Sequence, residues 1–176
     1  MANFTVDTAH SSIQFEVKHM MVSKVKGQFD SYAANVTADN VADLTTATFE
    51  FSFDVATINT KNTDRDDHLR SPDFFDVEQH STIEFVSTSV TGSGSEYKVT
   101  GDLTIKGITN EVTFDVEYNG SGKNPWGVEV HGLEAETKIN RESFGLTWNQ
   151  ALETGGVLVG KDIKVKVELE LNPASV

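Results

Sequence analysis

The stretch from Thr57 to Asp76, TINTKNTDRDDHLRSPDFFD, decides the fold by being unlike everything around it. Elsewhere the chain alternates apolar and polar residues with a period of two. Here the alternation stops. Asn62 and Thr63 offer side-chain oxygens that can cap a helix, and Thr63 with Asp66 has the spacing of a capping box, with Asp for the usual Glu. Asp64, Asp66 and Asp67 fall where the positive end of the helix dipole favours carboxylates. Arg70 stands four residues after Asp66 and can pair with it. Pro72 stops the helix by pushing Ser71 out of the α region. The spacing predicts one short helix, near residues 63–71, in an otherwise all-β chain. A lone helix in such a chain covers or plugs something.

Working outward, the flanks read as strands. Ser12–Lys18 sets Ile13, Phe15 and Val17 against Gln14, Glu16 and Lys18. Val25–Val36 reads as a second strand. Thr46–Val55 is the strongest, with Ala47, Phe49, Phe51, Phe53 and Val55 on one face. After the helix come Ser81–Val90, Tyr97–Ile105, Val112–Tyr118, Trp126–Lys138 and Lys161–Leu171, the last setting Ile163, Val165, Val167, Leu169 and Leu171 against Lys164, Lys166, Glu168 and Glu170. Turn chemistry separates them at residues 39–43, 91–95, 106–107 and 119–125; residues 140–145 break the chain and residues 150–156 read as an open loop. Roughly eight antiparallel strands of about 9 to 11 residues, about 30 Å each, suit an up-and-down barrel better than a sandwich of short strands. A closed barrel of about eight strands can hold one small ligand. The 176 residues favour one domain over 1–176.

Composition excludes several classes of function. A net charge of −13 disfavours phosphate backbones and, for the same reason, anionic membrane surfaces. Without cysteine there are no disulfides, thiolate metal sites or cysteine nucleophiles. No apolar run reaches the roughly 20 residues of an integral membrane segment. The first residues lack the basic and apolar regions of a secretory leader, so the expectation is cytoplasmic, with export if a leader precedes them.

Most motif matches fail on inspection. Gly155–Asp162 approaches a P-loop, but Asp162 replaces the Ser/Thr and a strand follows instead of a helix. Asp64–Asp67 in an EF-hand register puts Leu69 where Gly belongs and Phe75 where Glu belongs. His10, His19, His68, His80 and His131 have no ligand spacing, and there is no G-x-S-x-G elbow. The expectation is no metal, no cofactor, no nucleic acid and no catalytic residue.

Eleven phenylalanines remain to be explained. Phe15, Phe49, Phe51, Phe53, Phe85 and Phe114 all sit on apolar faces. Most such faces pack a solid core; the alternative is an aromatic-walled cavity.

Several segments together resemble the YceI-like polyisoprenoid-binding family. They are Asp7-x-x-His10-Ser11-x-Ile13-x-Phe15-x-Val17-x-His19, Gly27-x-Phe29, Arg65-Asp66-x-His68-Leu69-x-Ser71-x-Asp73-Phe74-Phe75-Asp76, Gly101-x-Leu103-x-Ile105-x-Gly107 and Asn140-Arg141-x-x-Phe144-Gly145. The resemblance implies a lipocalin-like barrel holding a long isoprenoid or similar lipid, such as a quinone precursor or polyprenyl phosphate, for storage, transport or shielding. It favours the cavity, with Phe15, Val17, Phe49, Phe51, Phe53, Val55, Phe85, Leu103, Phe114 and Val165 as ligand-binding residues. It also implies a shared polar cluster of Arg65, Asp66, His68, Asp73 and Arg141, which either ties the helix to the barrel or receives a head group. Leu69 is the helix's sole large apolar residue, so something polar must hold the helix; Arg65 is suited to a bidentate pair with a carboxylate. A homodimer is also expected. Two other classes stay open: a lipid-acting barrel enzyme of isomerase or cyclase type, which needs an inward acid–base pair, and a solid-cored, stress-related interaction module.

Overall fold

The computed structural model describes residues 2–150, 152 and 158–173. Its strands are β1 (Ala2–Val6), β2 (Ser12–His19), β3 (Ser23–Phe29), β4 (Tyr32–Ala38), β5 (Thr48–Asp54), β6 (Ile58–Asn59), β7 (Thr82–Ser93), β8 (Glu96–Ile105), β9 (Ile108–Lys123), β10 (Glu129–Asn140) and β11 (Val159–Pro173). The helix α1 spans Thr63–Arg70.

The pairings reduce these segments to eight antiparallel staves. β1 and β2 both pair with β11 and form one bent stave; β3 and β4, which pair with β2 and β1, form a second, and β6 and β5, which pair with β3 and β4, a third. Each stave then pairs with the next, and β11 pairs back with β1 and β2, closing the sheet. Neighbours in sequence are neighbours in space, as expected of an up-and-down barrel.

Three expected boundaries move, each for a local reason. The strand expected over 25–36 breaks at Asp30–Ser31, where Ser31 N–H donates to Thr57 Oγ1 (3.0 Å). The strand expected over 46–55 is trimmed to Thr48–Asp54 by 3-10 turns at each end. Asp43 caps the first, accepting from Thr45 N (3.1 Å), and Asp54 caps the second, accepting from Ala56 N (3.2 Å). Residues 119–123, read as a turn, extend β9; the turn is set further on by Asn124, whose side-chain oxygen accepts from Trp126 N and Val128 N (3.0 Å each). β1 was not expected; its one apolar alternation, Phe4 and Val6, is too short to register. Most of the loop expected over 150–156, and residues 155–157 of the 155–162 glycine-rich stretch, lie outside the described residues.

The interior has two halves. Toward the end holding the 3-10 turn Leu44–Thr46, the barrel is filled: Val36, Ala38, Leu44 and Leu171 have no exposed surface. Toward the end holding α1, it is hollow.

Candidate functional site

The hollow half is a cavity of about 310 Å³, within the usual size range of small-molecule sites. Phe15 and Val17 of β2, Phe29 of β3, Phe51 and Phe53 of β5, Phe114 of β9 and Val165 of β11 line it. All seven are on the inward face yet only half-buried, because their remaining surface faces the cavity. Phe49, Phe85 and Leu103 complete the wall and are buried. The rings touch in series: Phe15–Phe29 and Phe29–Phe53 at 5.7 Å, Phe51–Phe53 stacked at 6.2 Å, Phe85–Phe114 edge-on at 5.3 Å.

Two glycines make room for this wall. Phe15 faces Gly27 across β2 and β3, and a Cβ on Gly27 would stand 2.5 Å from the Phe15 ring. A Cβ on Gly101 would stand 2.6 Å from the Phe85 ring. Each ring therefore lies flat over the glycine of the neighbouring strand, leaving the barrel's centre open.

Nine of the ten expected lining residues are at the wall. Val55 is not. It is 1% exposed, in the 3-10 turn after β5, where its N–H donates to Ser81 O (3.1 Å). Phe29 was missed although alternation with Val25 and Gly27 points it inward. Trp148 was missed because no periodic element carries it.

α1 closes the hollow end: Arg65, His68 and Leu69 line the cavity. Its tethers differ from those expected. Asn62 is the cap, accepting from Arg65 N (3.0 Å), so Thr63 and Asp66 form no capping box. Asp66, 7% exposed, instead accepts from Thr60 N (2.9 Å) and Thr60 Oγ1 (2.5 Å). Arg65 meets no carboxylate among the described residues: its Nε donates to Thr60 Oγ1 (2.8 Å) and its Nη2 to Thr60 O (2.7 Å). Thr60, itself buried, thus relays between the two charges. Arg70 pairs with Asp67 (3.0 Å), not Asp66, and donates to Ala56 O and Ile58 O. His68 Nε2 bonds Asp73 (2.9 Å), with Phe74 and Trp148 edge-on to its ring at 5.0 and 4.7 Å.

Arg141 does not join that cluster. It is 2% exposed, and its guanidinium donates to the carbonyls of Leu146 (2.6 Å), Gly160 (2.7 Å), Trp148 (3.0 Å) and Val159 (3.3 Å). Burial holds it below the usual arginine range, with Glu142 opposing. It fastens the segment after β10 to the start of β11, and through Trp148 supports His68. Folding gathers one group of metal-ligating side chains among the described residues, Asp7, His10 and Glu170, within 4.8 Å. None of them lines the cavity. His10 already bonds Asp7 (2.8 Å) and approaches Glu170 (3.5 Å).

A closed antiparallel barrel, one end packed and the other hollow, aromatic-walled and capped by a short helix, defines a lipocalin-like class of protein. Within that class the chain belongs to the YceI-like family, whose model matches residues 4–171. It is 52% identical over 173 residues, 98% of both chains, to a UPF0312 protein of Staphylococcus aureus strain USA300. Among solved structures it resembles BcnA of Burkholderia cenocepacia (TM-score 0.81, 25% identity, 94% of this chain and 98% of that one). It also resembles the YCEI protein of Campylobacter jejuni (TM-score 0.77, 30% identity, 97% and 98%). A polyisoprenoid binding domain from Saccharophagus degradans shares the fold (TM-score 0.69, 12% identity, 99% and 100%).

Proposed function

We propose that the protein binds a long-chain isoprenoid or similar amphiphilic lipid in the hollow half of the barrel, for storage, transport or shielding. The observation that carries this is the row of inward-facing phenylalanines left half-buried around open space. An apolar chain covering that surface gains about 25 cal/mol for each Å² removed from water. The shared fold with a domain named for polyisoprenoid binding supports the same reading. The cluster around Thr60 reads as chiefly structural, because its bonds hold α1 across the cavity end.

Native mass spectrometry of protein purified without detergent tests the reading. An elongated lipid is expected on the wild type and absent from folded Phe51→Asp, where a carboxylate would be desolvated against the ligand. Undiminished lipid on that variant sinks the assignment.

One observation favours a second reading. His68, which lines the cavity, bonds a carboxylate, Asp73, the kind of pair that acid–base chemistry on a bound lipid needs. Conversion of a bound lipid by the wild type and not by His68→Gln would establish it.

A further inference from the structure

The turn between β2 and β3 breaks local rules at several points. Met20 and Met21 both have positive φ, 53° and 62°, and Val22 N–H donates to His19 O (3.2 Å). That is a type I′ turn, a conformation that favours Asn-Gly and strains longer side chains. The turn Lys106–Gly107, between β8 and β9, has glycine at its second position; here both positions are methionine. The apolar side chains are not buried in return. Met20, Met21 and Val22 are 45%, 62% and 87% exposed.

The charge around the turn is also reversed from that of the protein. Lys18 and Lys24 stand directly opposite each other across β2 and β3, an unfavourable pairing of like charges. Lys26 follows on the same outward face. Glu16 stands opposite Lys26 in the same register and lies 3.6 Å from Lys24, while Lys18 and Lys26 form no ion pair among the described residues. This cationic patch sits on a chain of net charge −13.

The turn is also at the cavity's mouth. Lys18, exposed beside the turn, also touches the cavity. His19 and Leu158 stand beside it, and Met20 N–H donates to Leu158 O (2.8 Å).

We propose that the β2–β3 turn docks the cavity mouth onto an anionic lipid bilayer. The methionines and Val22 enter the interface, the lysines meet the lipid phosphates, and the mouth faces the membrane. Net negative charge opposes such contact over the whole surface, but within a Debye length, about 8–10 Å, the local patch governs. The acidic remainder then orients the molecule with this end toward the bilayer.

The purpose of docking rests on the lipid-cavity reading, and the test separates the two. Vesicles of phosphatidylcholine with phosphatidylglycerol, and of phosphatidylcholine alone, are floated with the wild type, with Met20→Asn/Met21→Gly and with Lys18→Glu/Lys26→Glu. The wild type is expected to float with the anionic vesicles preferentially. The charge-reversed variant should lose more than about tenfold of that binding, at about 1 kcal/mol for each lysine. The Asn-Gly variant should melt at or above the wild-type temperature, since its turn is relieved, yet bind anionic vesicles about tenfold less well. Unchanged flotation of the Asn-Gly variant, or no flotation of the wild type, overturns docking. So does a concentration-dependent dimer, without flotation, that the Asn-Gly variant abolishes, because the turn would then meet a second copy. Lipid carried by the same preparations, read by mass spectrometry, reports on the cavity: flotation without bound lipid keeps docking and discards the cavity reading, and bound lipid without flotation does the reverse.

Discussion

Gly27 and Arg65 show how single positions shape the cavity. A methyl group at Gly27 meets the Phe15 ring at 2.5 Å and the Thr60 methyl at 2.8 Å. Thr60 is buried and held by Arg65 and Asp66, so the ring is what moves, and the open direction is the cavity. Gly27→Ala should therefore cost about 1–3 kcal/mol in denaturant unfolding and leave less lipid bound; an unchanged midpoint and full lipid load would contradict it. Arg65→Lys removes the guanidinium that donates twice to Thr60. Since no carboxylate is left unpaired, the cost should be about 1–3 kcal/mol, less than for a broken buried ion pair. Ligand choice should stay the same. An unchanged apo melting temperature with lost binding of phosphorylated lipids would make Arg65 a head-group receptor instead.

At the scale of elements, α1 is held by its ends and its polar face, and the bent stave β1–β2 by its corner. At that corner the hydrogen bond from His10 is the main cause holding the Asp7 carboxyl below its usual range, and the same bond holds the His10 imidazole above its own. The signs set a window. The depressed Asp7 contributes stability above the ordinary carboxylate value of about 3.9 and loses it as pH falls through its folded value. The raised His10 contributes below about 6.5 and loses it as pH rises through its folded value. The melting-temperature gap between wild type and His10→Gln should thus be widest between about pH 4 and 6.5 and shrink on either side. A gap independent of pH would remove the pair from the stave's stability. The same corner shows what a sequence hides. Alternation revealed the apolar faces of β5 and β8, because inward and outward residues differ in polarity there. It did not reveal the bend at residues 30–31, where Phe29 and Tyr32 carry the apolar pattern across, nor β1 and its bend at residues 7–11, nor that Val55 turns away after Asp54 caps a 3-10 turn. The partners of Arg65 and Arg141 are mostly backbone carbonyls, which every residue possesses, so no residue pattern announces them.

For the whole molecule, the reading of the phenylalanines divides by position. Packing prevails at one end and a cavity at the other, and alternation, being identical in both, cannot say which. The family resemblance also motivates a homodimer. Light scattering at micromolar concentration should give twice the 19.3 kDa chain mass, and Met20→Asn/Met21→Gly should leave it unchanged, since the docking proposal assigns that turn to lipid. A monomer throughout would end the dimer reading. One last consequence comes from the seam where β11 meets β1, pairing Phe4 with Pro173 and Val6 with Leu171. These contacts join residues near opposite ends of the chain, which makes closure entropically slow. During synthesis the other staves emerge first, as a curled sheet with its aromatic face open to water. The container is complete only after the ribosome has delivered its final stave, and until then the nascent chain depends on whatever shields that face from aggregation.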